Sequence, residues 1–438
     1  MVDDPAVAEV LYAPLSINAL TLTNRIIMSP MAALEAHADG RPSEQTIAFL
    51  CERAKGGVGL IIMGCGIPTR RAAEEVTFPG VVRFDDDRFL PDLKRLTDAV
   101  HAHGTPIFAQ LIAGFGTMGK ASRRRNLIAA SPKNVVMKAE NYPTGIFIPF
   151  DRKSAMPQQA TVQELRQIEI DTAEAAVRAQ RAGFDGVEVG AHMSYFLASF
   201  LSPRSNWRTD EYGGRLENRA RIVINIVRLI RERVGPAFPI GLRICANEHV
   251  DGGQGPEDYA AIAALVEQEG LDYVALSDGT YESIHFGAAS EDAPTVEHGE
   301  AQVFRQAVSC PLILSSTHDP GRAAEVIAAG HGDAVNYARS LLADPEYANK
   351  VREGRSHDIV RCDRQNYCLR RQGLGMPIRC EVNPRMGRES RRPGERPPIG
   401  RLVKAPIEQA VLAATGSRRI MDFAGRVARK FSSTRSTN

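Results

Sequence analysis

Short runs of apolar residues alternate along the chain with longer segments in which apolar residues return every three or four positions. The short runs are rich in Val, Ile and Leu with little polar alternation, which is typical of parallel strands covered on both faces. They predict eight strands, at residues 25–29, 58–63, 106–111, 186–189, 239–244, 273–277, 311–315 and 333–337. The regular succession of strand and helix patterns predicts βαβ units around one parallel sheet.

Several helix ends are marked by residues whose chemistry suits them. Thr161 followed by Glu164 predicts a capping box, and that helix is expected to run to about Ala182. Pro256 and Pro320 suit the first turn of a helix, where the missing N–H costs nothing, so each predicts another helix start. Eight strand–helix units with no second sheet left over favour an α/β fold of the (β/α)8 TIM-barrel type over a doubly wound sheet.

Three segments fall outside this rhythm. Residues 113–159 are too many for a simple βα loop, and long loops after barrel strands build active sites. Residues 361–387 hold a group of three cysteines. The proline-rich residues 393–398 predict a linker, and helical patterns follow at 406–415 and 417–431. We therefore predict a barrel at residues 1–355, a cysteine-containing extension at 356–392 and a basic helical tail at 393–438.

The charge is distributed unevenly along the chain. The net charge is +2, which gives no reason to expect nucleic acid as a partner, but 13 Lys/Arg and 4 Asp/Glu lie from Arg385 onward, so a +9 tail follows a −7 body. Ile420, Phe423, Val427 and Phe431 would form one apolar stripe on the last helix. This basic amphipathic helix could dock an electron-donor protein, a second copy of the chain or a membrane surface, or it could pack on the barrel.

The segments that direct proteins to membranes or to export are not evident. No apolar run reaches the roughly 18 residues needed to span a bilayer, and residues 1–13 lack the basic region of a secretory signal. Seven cysteines, an odd number, argue against a disulfide framework. We therefore expect a cytoplasmic protein.

The most specific motif lies just after the fourth predicted strand, where residues 206–219 read NWRTDEYGGRLENR. Further motifs occur at residues 24–31, 183–188, 241–243, 338–345 and 380–384. With these motifs the chain resembles the old yellow enzyme / NADH:flavin oxidoreductase family. The CEVNP motif at 380–384 is similar to the 2,4-dienoyl-CoA reductase branch, whose barrel domain alone is matched.

The resemblance implies a site for the FMN ring at the mouth of the barrel. The residues expected to contact the ring are Pro30, Met31, Ala32, Gly64, Gln110 and Arg243. Gln110 would bond the pyrimidine edge, and Arg243 would lie near N1 and O2, where its charge stabilises the reduced anionic flavin. The alternative for Arg243 is a salt bridge inside the barrel mouth.

The resemblance also implies a phosphate site at the loops after the last two strands. Ser315 and Ser316 stand where relatives usually carry a Gly-Arg pair, in a loop one residue shorter, and Ala338 and Arg339 follow at the eighth strand. Arg339, the serine hydroxyls and backbone amides are the predicted phosphate ligands.

The family's reaction adds a hydride to the β-carbon of an unsaturated carbonyl compound and a proton to its α-carbon. The resemblance assigns the proton donor to Tyr195, and Tyr281 falls near the second acid of the dienoyl-CoA reductases. Gly190 and Met193 stand where typical old yellow enzymes have a histidine and an asparagine, or two histidines, that hydrogen-bond the substrate carbonyl. His192 is a nearby donor, and it is either a carbonyl clamp or a structural histidine.

The cysteine motif departs from the branch. Dienoyl-CoA reductases hold a [4Fe–4S] cluster with four cysteines, whereas this chain has Cys362, Cys368 and Cys380, with Gln365 in place of the second ligand. Three thiolates do not complete the usual set, so we expect the cluster, and any other metal at this motif, to be absent; a cluster held by the three cysteines and another ligand is the alternative. Electrons would then reach FMN directly from NAD(P)H or from a separate reductase.

A glycine-rich motif follows the third strand. Gly114, Gly116 and Gly119 match GxGxxG, the dinucleotide-binding fingerprint, but no apolar helix pattern follows them. We predict instead a mobile lid beside the substrate. Arg123, Arg124 and Arg125 after it are either available to an anionic group such as a CoA phosphate or simply solvated.

These residues lead to one predicted function with two alternatives. The first is an FMN-dependent ene-reductase that passes hydride from NAD(P)H through FMN to an activated C=C bond of an enone or enoyl-CoA-type substrate. The second is a flavin dehydrogenase acting on a steroid or an amine. The third is a degenerate, non-catalytic barrel subunit.

Overall fold

Eight parallel strands close into a barrel in the computed structural model, which describes residues 5–121, 125–289, 291–315, 317–391 and 399–433. The strands, labelled in chain order, are β1 Ile26–Met28, β2 Leu60–Gly66, β3 Ile107–Leu111, β4 Gly186–Ala191, β5 Ile240–Cys245, β6 Tyr273–Ser277, β7 Leu312–Leu314 and β8 Ala334–Tyr337. Each strand pairs with the next, and β8 pairs with β1. The predicted TIM barrel and all eight strands are confirmed.

Helices surround the barrel, joined by shorter helices in the loops. The α-helices are Pro5–Leu11, Glu44–Lys55, Arg70–Glu75, Leu90–His101, Val162–Arg181, Ala198–Leu201, Leu216–Val234, Pro256–Glu267, Ile284–Gly287, Pro294–Glu297, Glu300–Ala307, Pro320–Ala328, Arg339–Ala343, Tyr347–Arg352, Tyr367–Gly373, Ile399–Thr415 and Arg418–Ser433. Short 3-10 turns lie at Asp87–Phe89, Gly116–Met118, Ala139–Asn141 and Ser356–Asp358. The capping box at Thr161 and both proline helix starts are confirmed.

The interior of the barrel is filled by side chains that alternate along the strands. Ile27, Phe108, Tyr273 and Ile313 form one buried cluster there, and the hairpin of strands Leu15–Ile17 and Leu20–Leu22 packs against it. Intervening strand residues face the helices in a second, larger cluster. These side chains fill the barrel at the amino-terminal ends of the strands. The polar side chains of the site therefore lie at the carboxyl ends of the strands.

Two pairs of two-residue strands lie in the long segment after β3. Ile128–Ala129 pairs with Gln158–Gln159, and Val136–Met137 pairs with Arg152–Lys153. The segment is therefore structured by backbone pairing on the same side of the barrel as the strand ends.

The cysteine-containing extension packs against the barrel. Ile378 and Met386 are 4% and 2% exposed and belong to the main core cluster. The Ile378 N–H donates to Ala33 O at 3.1 Å, and Arg53 Nη1 forms a buried ion pair with Glu389 at 2.9 Å. The extension is thus held beside the segment that follows β1.

The tail forms two helices, but the predicted start of the first was wrong. It begins at Ile399 rather than at Pro406, and Pro406 lies inside it. A proline inside a helix removes one backbone hydrogen bond, and here the helix continues across that loss. The predicted linker at 393–398 lies outside the described residues.

The apolar stripe of the last helix is exposed. Ile420, Phe423 and Val427 are 49%, 62% and 37% exposed, while the side chain of Phe431 lies outside the described part. The opposite side of the helix approaches Pro149, because a Cβ on Gly425 would collide with the carbonyl oxygen of that proline. No helix in the described part of the chain is long and apolar enough to cross a bilayer.

Candidate active site at the carboxyl ends of the strands

Two tyrosine hydroxyls meet above the barrel. Tyr195 follows β4 and Tyr281 follows β6, and their hydroxyl oxygens are 2.9 Å apart. The rings stand edge to face with centroids 5.8 Å apart. Burial, with a smaller contribution from Tyr281, raises the pKa of Tyr195 well above its ordinary value, and burial also raises the pKa of Tyr281. Both phenols therefore keep their protons at neutral pH, as proton donors must.

The glycine-rich segment packs against Tyr195, and its role as a mobile lid stays a prediction. Gly116 adopts φ +55 and lies against the backbone of Phe196, and the Phe115 ring contacts Tyr195 edge-on at 5.7 Å. Because Gly114 and Gly116 have no side chains, their backbone can lie directly against Phe196, and this contact buries the segment. A 3-10 turn, Gly116–Met118, lies inside the motif where a nucleotide-binding helix would begin.

The three arginines after that segment are only partly covered by the structure. Arg123 and Arg124 lie outside the described residues. Arg125 is 3.4 Å from Glu74, with both side chains about two-fifths exposed. An anion-binding role for them stays a prediction.

His192 lies beside the tyrosine pair. Its ring centroid is 5.8 Å from that of Tyr195, and within the described residues neither of its buried ring nitrogens has a hydrogen-bond partner. Burial, and to a smaller extent the charge of Arg243, lowers the pKa of His192 to about 3. The ring is therefore neutral at pH 7 and offers one donor and one acceptor.

Glu188 is the hub of a buried polar network that the sequence did not reveal. Arg243 donates to its two carboxylate oxygens at 2.8 and 3.1 Å. Gln110 donates to it at 2.9 Å and the Tyr273 hydroxyl at 3.2 Å. The only signal in the sequence was a carboxylate inside an otherwise apolar strand. Arg243 thus forms the salt bridge that had been considered as its alternative role.

A bulge in β2 shapes the floor of the site. Pairing with β3 shifts between Met63 and Gly66, and Cys65 adopts φ +58, which directs its N–H to Gln110 Oε1 at 3.4 Å. A Cβ at Gly64 would collide with the backbone of Met31, so the glycine admits the segment after β1. Pro30, Met31 and Ala32 are all partly exposed at this edge.

Two of the predicted phosphate ligands, Ser315 and Arg339, form hydrogen bonds with other residues of the chain. The Ser315 hydroxyl is within hydrogen-bond distance of Leu276 O, and Ser316 lies outside the described residues. Ala338 precedes the helix that begins with Arg339. Arg339 donates to Ala289 O at 2.6 Å and to Asn366 Oδ1 at 2.8 Å, which links the barrel to the extension. The phosphate role of these residues stays a prediction.

The rim nevertheless has the character of a site for a polar cofactor. His192, Thr317 Oγ1 and Asn336 Nδ2 are buried polar groups without partners in the described part of the chain, and they follow or belong to β4, β7 and β8. Buried polar groups are normally hydrogen-bonded, so this concentration fits a bound molecule rich in polar atoms. The residues present at the rim therefore fit FMN.

The three cysteines do not complete the ligand set of a [4Fe–4S] cluster. Burial raises the pKa of the Cys362, Cys368 and Cys380 thiols, that of Cys368 to about 12. Gln365, at the place of the second ligand, is exposed, and its side-chain nitrogen is 3.5 Å from Asp363 O. Three thiols cannot supply the usual four thiolates.

Comparison with known proteins identifies the family. The sequence profile of the NADH:flavin oxidoreductase / NADH oxidase family matches residues 10–358. The chain belongs to this family. Membership makes FMN the cofactor of this barrel, as the resemblance had implied.

Individual relatives agree with this assignment. The chain is 34% identical to NADH oxidase of Thermoanaerobacter brockii, over 93% of this chain and 59% of that protein. It is 30% identical to cinnamate reductase of Clostridium sporogenes, over 87% and 58%. A 2-naphthoyl-CoA reductase complex with 2-naphthoyl-CoA superimposes with a TM-score of 0.77 at 28% identity, covering 88% and 58%. The chain thus spans less than two thirds of these relatives.

Proposed function

We propose that this chain is an FMN-dependent ene-reductase that reduces the activated C=C bond of an enone or enoyl thioester with electrons from NAD(P)H. The observation that carries the proposal is the 2.9 Å contact between the Tyr195 and Tyr281 hydroxyls at the carboxyl rim. Family membership and the names of two relatives, a cinnamate reductase and a 2-naphthoyl-CoA reductase, support the substrate class.

The residues that would hold FMN are those predicted from the sequence. They are Pro30, Met31, Ala32, Gly64, Gln110 and Arg243 at the ring, and Ser315, Ser316, Ala338 and Arg339 at the phosphate. Bound there, FMN would supply the hydride-transfer chemistry that links NAD(P)H to the β-carbon of the substrate. Arg243, held by Glu188, would place oriented guanidinium N–H donors at the rim, and preorganised donors of this kind stabilise a developing anion.

The remaining residues act on the substrate. Tyr195 holds a proton on its hydroxyl oxygen and delivers it to the α-carbon. Tyr281 orients that hydroxyl through their hydrogen bond. Neutral His192 donates a hydrogen bond to the substrate carbonyl, which polarises the double bond toward attack. The apolar rings of Phe115 and Tyr195 limit access of water to the reacting atoms.

The test follows the hydrogen atoms into the product. Protein reconstituted with FMN is incubated without air with NADPH deuterated at both C4 positions and either 2-cyclohexenone or cinnamoyl-CoA. We expect one deuterium at the β-carbon and one solvent hydrogen at the α-carbon of the reduced product, as read by NMR. Reduced flavin that persists with either acceptor, in a protein that instead oxidises an amine or a hydroxysteroid, would favour the dehydrogenase.

A further inference from the structure

A cluster of two histidines and one glutamate lies on the outer side of the same rim. His249 follows β5, while His298 and Glu300 lie at the junction of the helices Pro294–Glu297 and Glu300–Ala307. One ring nitrogen of each histidine and one carboxylate oxygen all lie within 4.8 Å of one another. His298 is exposed, His249 is half-buried and Glu300 is buried, so the cluster opens to solvent on one side.

Two buried carboxylates at this cluster, those of Glu300 and Asp278, each have one oxygen without a hydrogen-bond partner among the described residues. Glu300 is 3% exposed, and its Oε2 has no hydrogen-bond partner among the described residues. Its Oε1 accepts from Asn247 at 3.2 Å and lies 3.8 Å from His249 Nε2. Asp278, 5% exposed, is 2.8 Å from His249 Nε2 through Oδ1 and leaves Oδ2 unpartnered.

Within the described ranges, no Lys or Arg forms an ion pair with Asp278 or Glu300. Each of these carboxylates has a salt bridge only to His249. Buried charge without a counter-charge is costly. A cation in this position would remove that cost.

We propose that His249, His298 and Glu300 bind a divalent transition-metal ion, with zinc as the best match. Asp278 would orient the His249 ring through Nε2, which leaves Nδ1 to bind the ion. Two imidazoles and a carboxylate are typical zinc ligands, whereas magnesium and calcium prefer oxygen ligands throughout. A carboxylate beside a metal-binding histidine is the usual outer partner at such sites. The exposed side of the cluster leaves one position for water or a further ligand.

The site joins two loops of the active-site rim. Asp278 lies three residues before Tyr281, and Gly279 N–H donates to Asn247 O at 3.0 Å. The ring of Phe286, from the same loop as Tyr281, stacks on His249 with centroids 3.7 Å apart and planes 8° apart. A metal ion would therefore fix the loop that carries Tyr281. Binding of the ion does not depend on the proposed reductase activity.

The test measures zinc directly on the full-length chain. Wild type, His298→Gln and the control His103→Gln, which changes an exposed histidine elsewhere, are dialysed to equilibrium against graded zinc and assayed by elemental mass spectrometry. Wild type and His103→Gln should bind one equivalent more than His298→Gln in the micromolar range. Loss of a ligand should weaken binding by more than the roughly 10–100-fold that loss of an outer partner costs.

Any zinc bound by the three cysteines adds equally to the zinc content of every variant, because all variants retain these cysteines. The difference in zinc content between variants therefore reports the histidine site. A second readout is the thermal midpoint, which zinc but not magnesium should raise in wild type and in His103→Gln, and raise less in His298→Gln. Glu300→Gln, which keeps an acceptor for Asn247, should behave like His298→Gln. Equal zinc content and affinity in wild type and His298→Gln, or equal binding of magnesium and zinc, would overturn the proposal.

Discussion

Replacing Tyr195 with phenylalanine is expected to slow reoxidation of the reduced flavin by an enone by about 10²–10⁴-fold, the usual contribution of a general acid. Flavin reduction by NAD(P)H should be nearly unchanged, because it needs no proton from this phenol. The two half-reactions are separated by anaerobic stopped-flow absorbance. The ring itself is retained in the variant, so its edge-on contact with Phe115 is preserved.

Two controls sharpen this experiment. Tyr12→Phe removes a hydroxyl that donates to Ala348 O, far from the rim, and should change neither half-reaction. Tyr281→Phe removes the orienting hydroxyl but leaves the donor, so its effect on reoxidation should be smaller than that of Tyr195→Phe. If Tyr195→Phe reoxidises at the wild-type rate, Tyr195 is not the proton donor.

The rate of flavin reoxidation in the wild type should depend on pH through the protonation of Tyr195. A phenol donates a proton only below its pKa, and burial raises the pKa of Tyr195 above the usual value. The protonated form therefore persists further into alkaline solution than it would in a free tyrosine. Reoxidation should consequently be flat from about pH 6 to about pH 9.

Replacing Arg243 with methionine is expected to lower the free energy of unfolding by about 3–5 kcal/mol, because it leaves a buried carboxylate unpaired. Arg243 and Glu188 side chains are 3% and 0% exposed, and the pair shares the network with Gln110 and Tyr273. The same change removes the cation expected beside the flavin. Urea unfolding of the FMN-free protein measures the first effect without the second.

The matched control is an exposed arginine pair on the outer helices. Arg228 and Glu269 are 2.7 Å apart, with side chains 47% and 27% exposed, so Arg228→Met should cost no more than about 1 kcal/mol. Adding Glu188→Gln to Arg243→Met should restore part of the lost stability, because the unpaired charge is gone. Equal losses for Arg243→Met and Arg228→Met would show that the buried pair is not the support assigned to it.

Much of the fold could be predicted because its causes are local. Continuous apolar runs mark strands buried on both faces, and Thr161 with Glu164 marks a helix start by a reciprocal pair of hydrogen bonds. The tail helix was misplaced because Pro406 is a good helix start in isolation, whereas here the helix continues through it. Local preference is a weak guide where a proline is tolerated inside a helix.

The site could be predicted only in part, because its contacts depend on register between distant strands. Glu188 meets Gln110 and Arg243 only because β4 pairs with β3 and β5 in the register seen here. The burial of the glycine-rich segment depends in the same way on its contact with Phe196, about eighty residues later. Arg339, expected at a phosphate, is bound by Asn366 of the extension, whose position no strand pattern indicates.

We expect this barrel to hold FMN and to reduce it with NAD(P)H. The most direct measurement is the visible absorption spectrum of the full chain, purified and then supplied with FMN, before and after addition of NAD(P)H without air. We predict a flavin spectrum that remains with the protein after gel filtration and bleaches with the nucleotide. A protein that stays colourless after incubation with FMN would contradict the account and would identify the chain as a non-catalytic barrel.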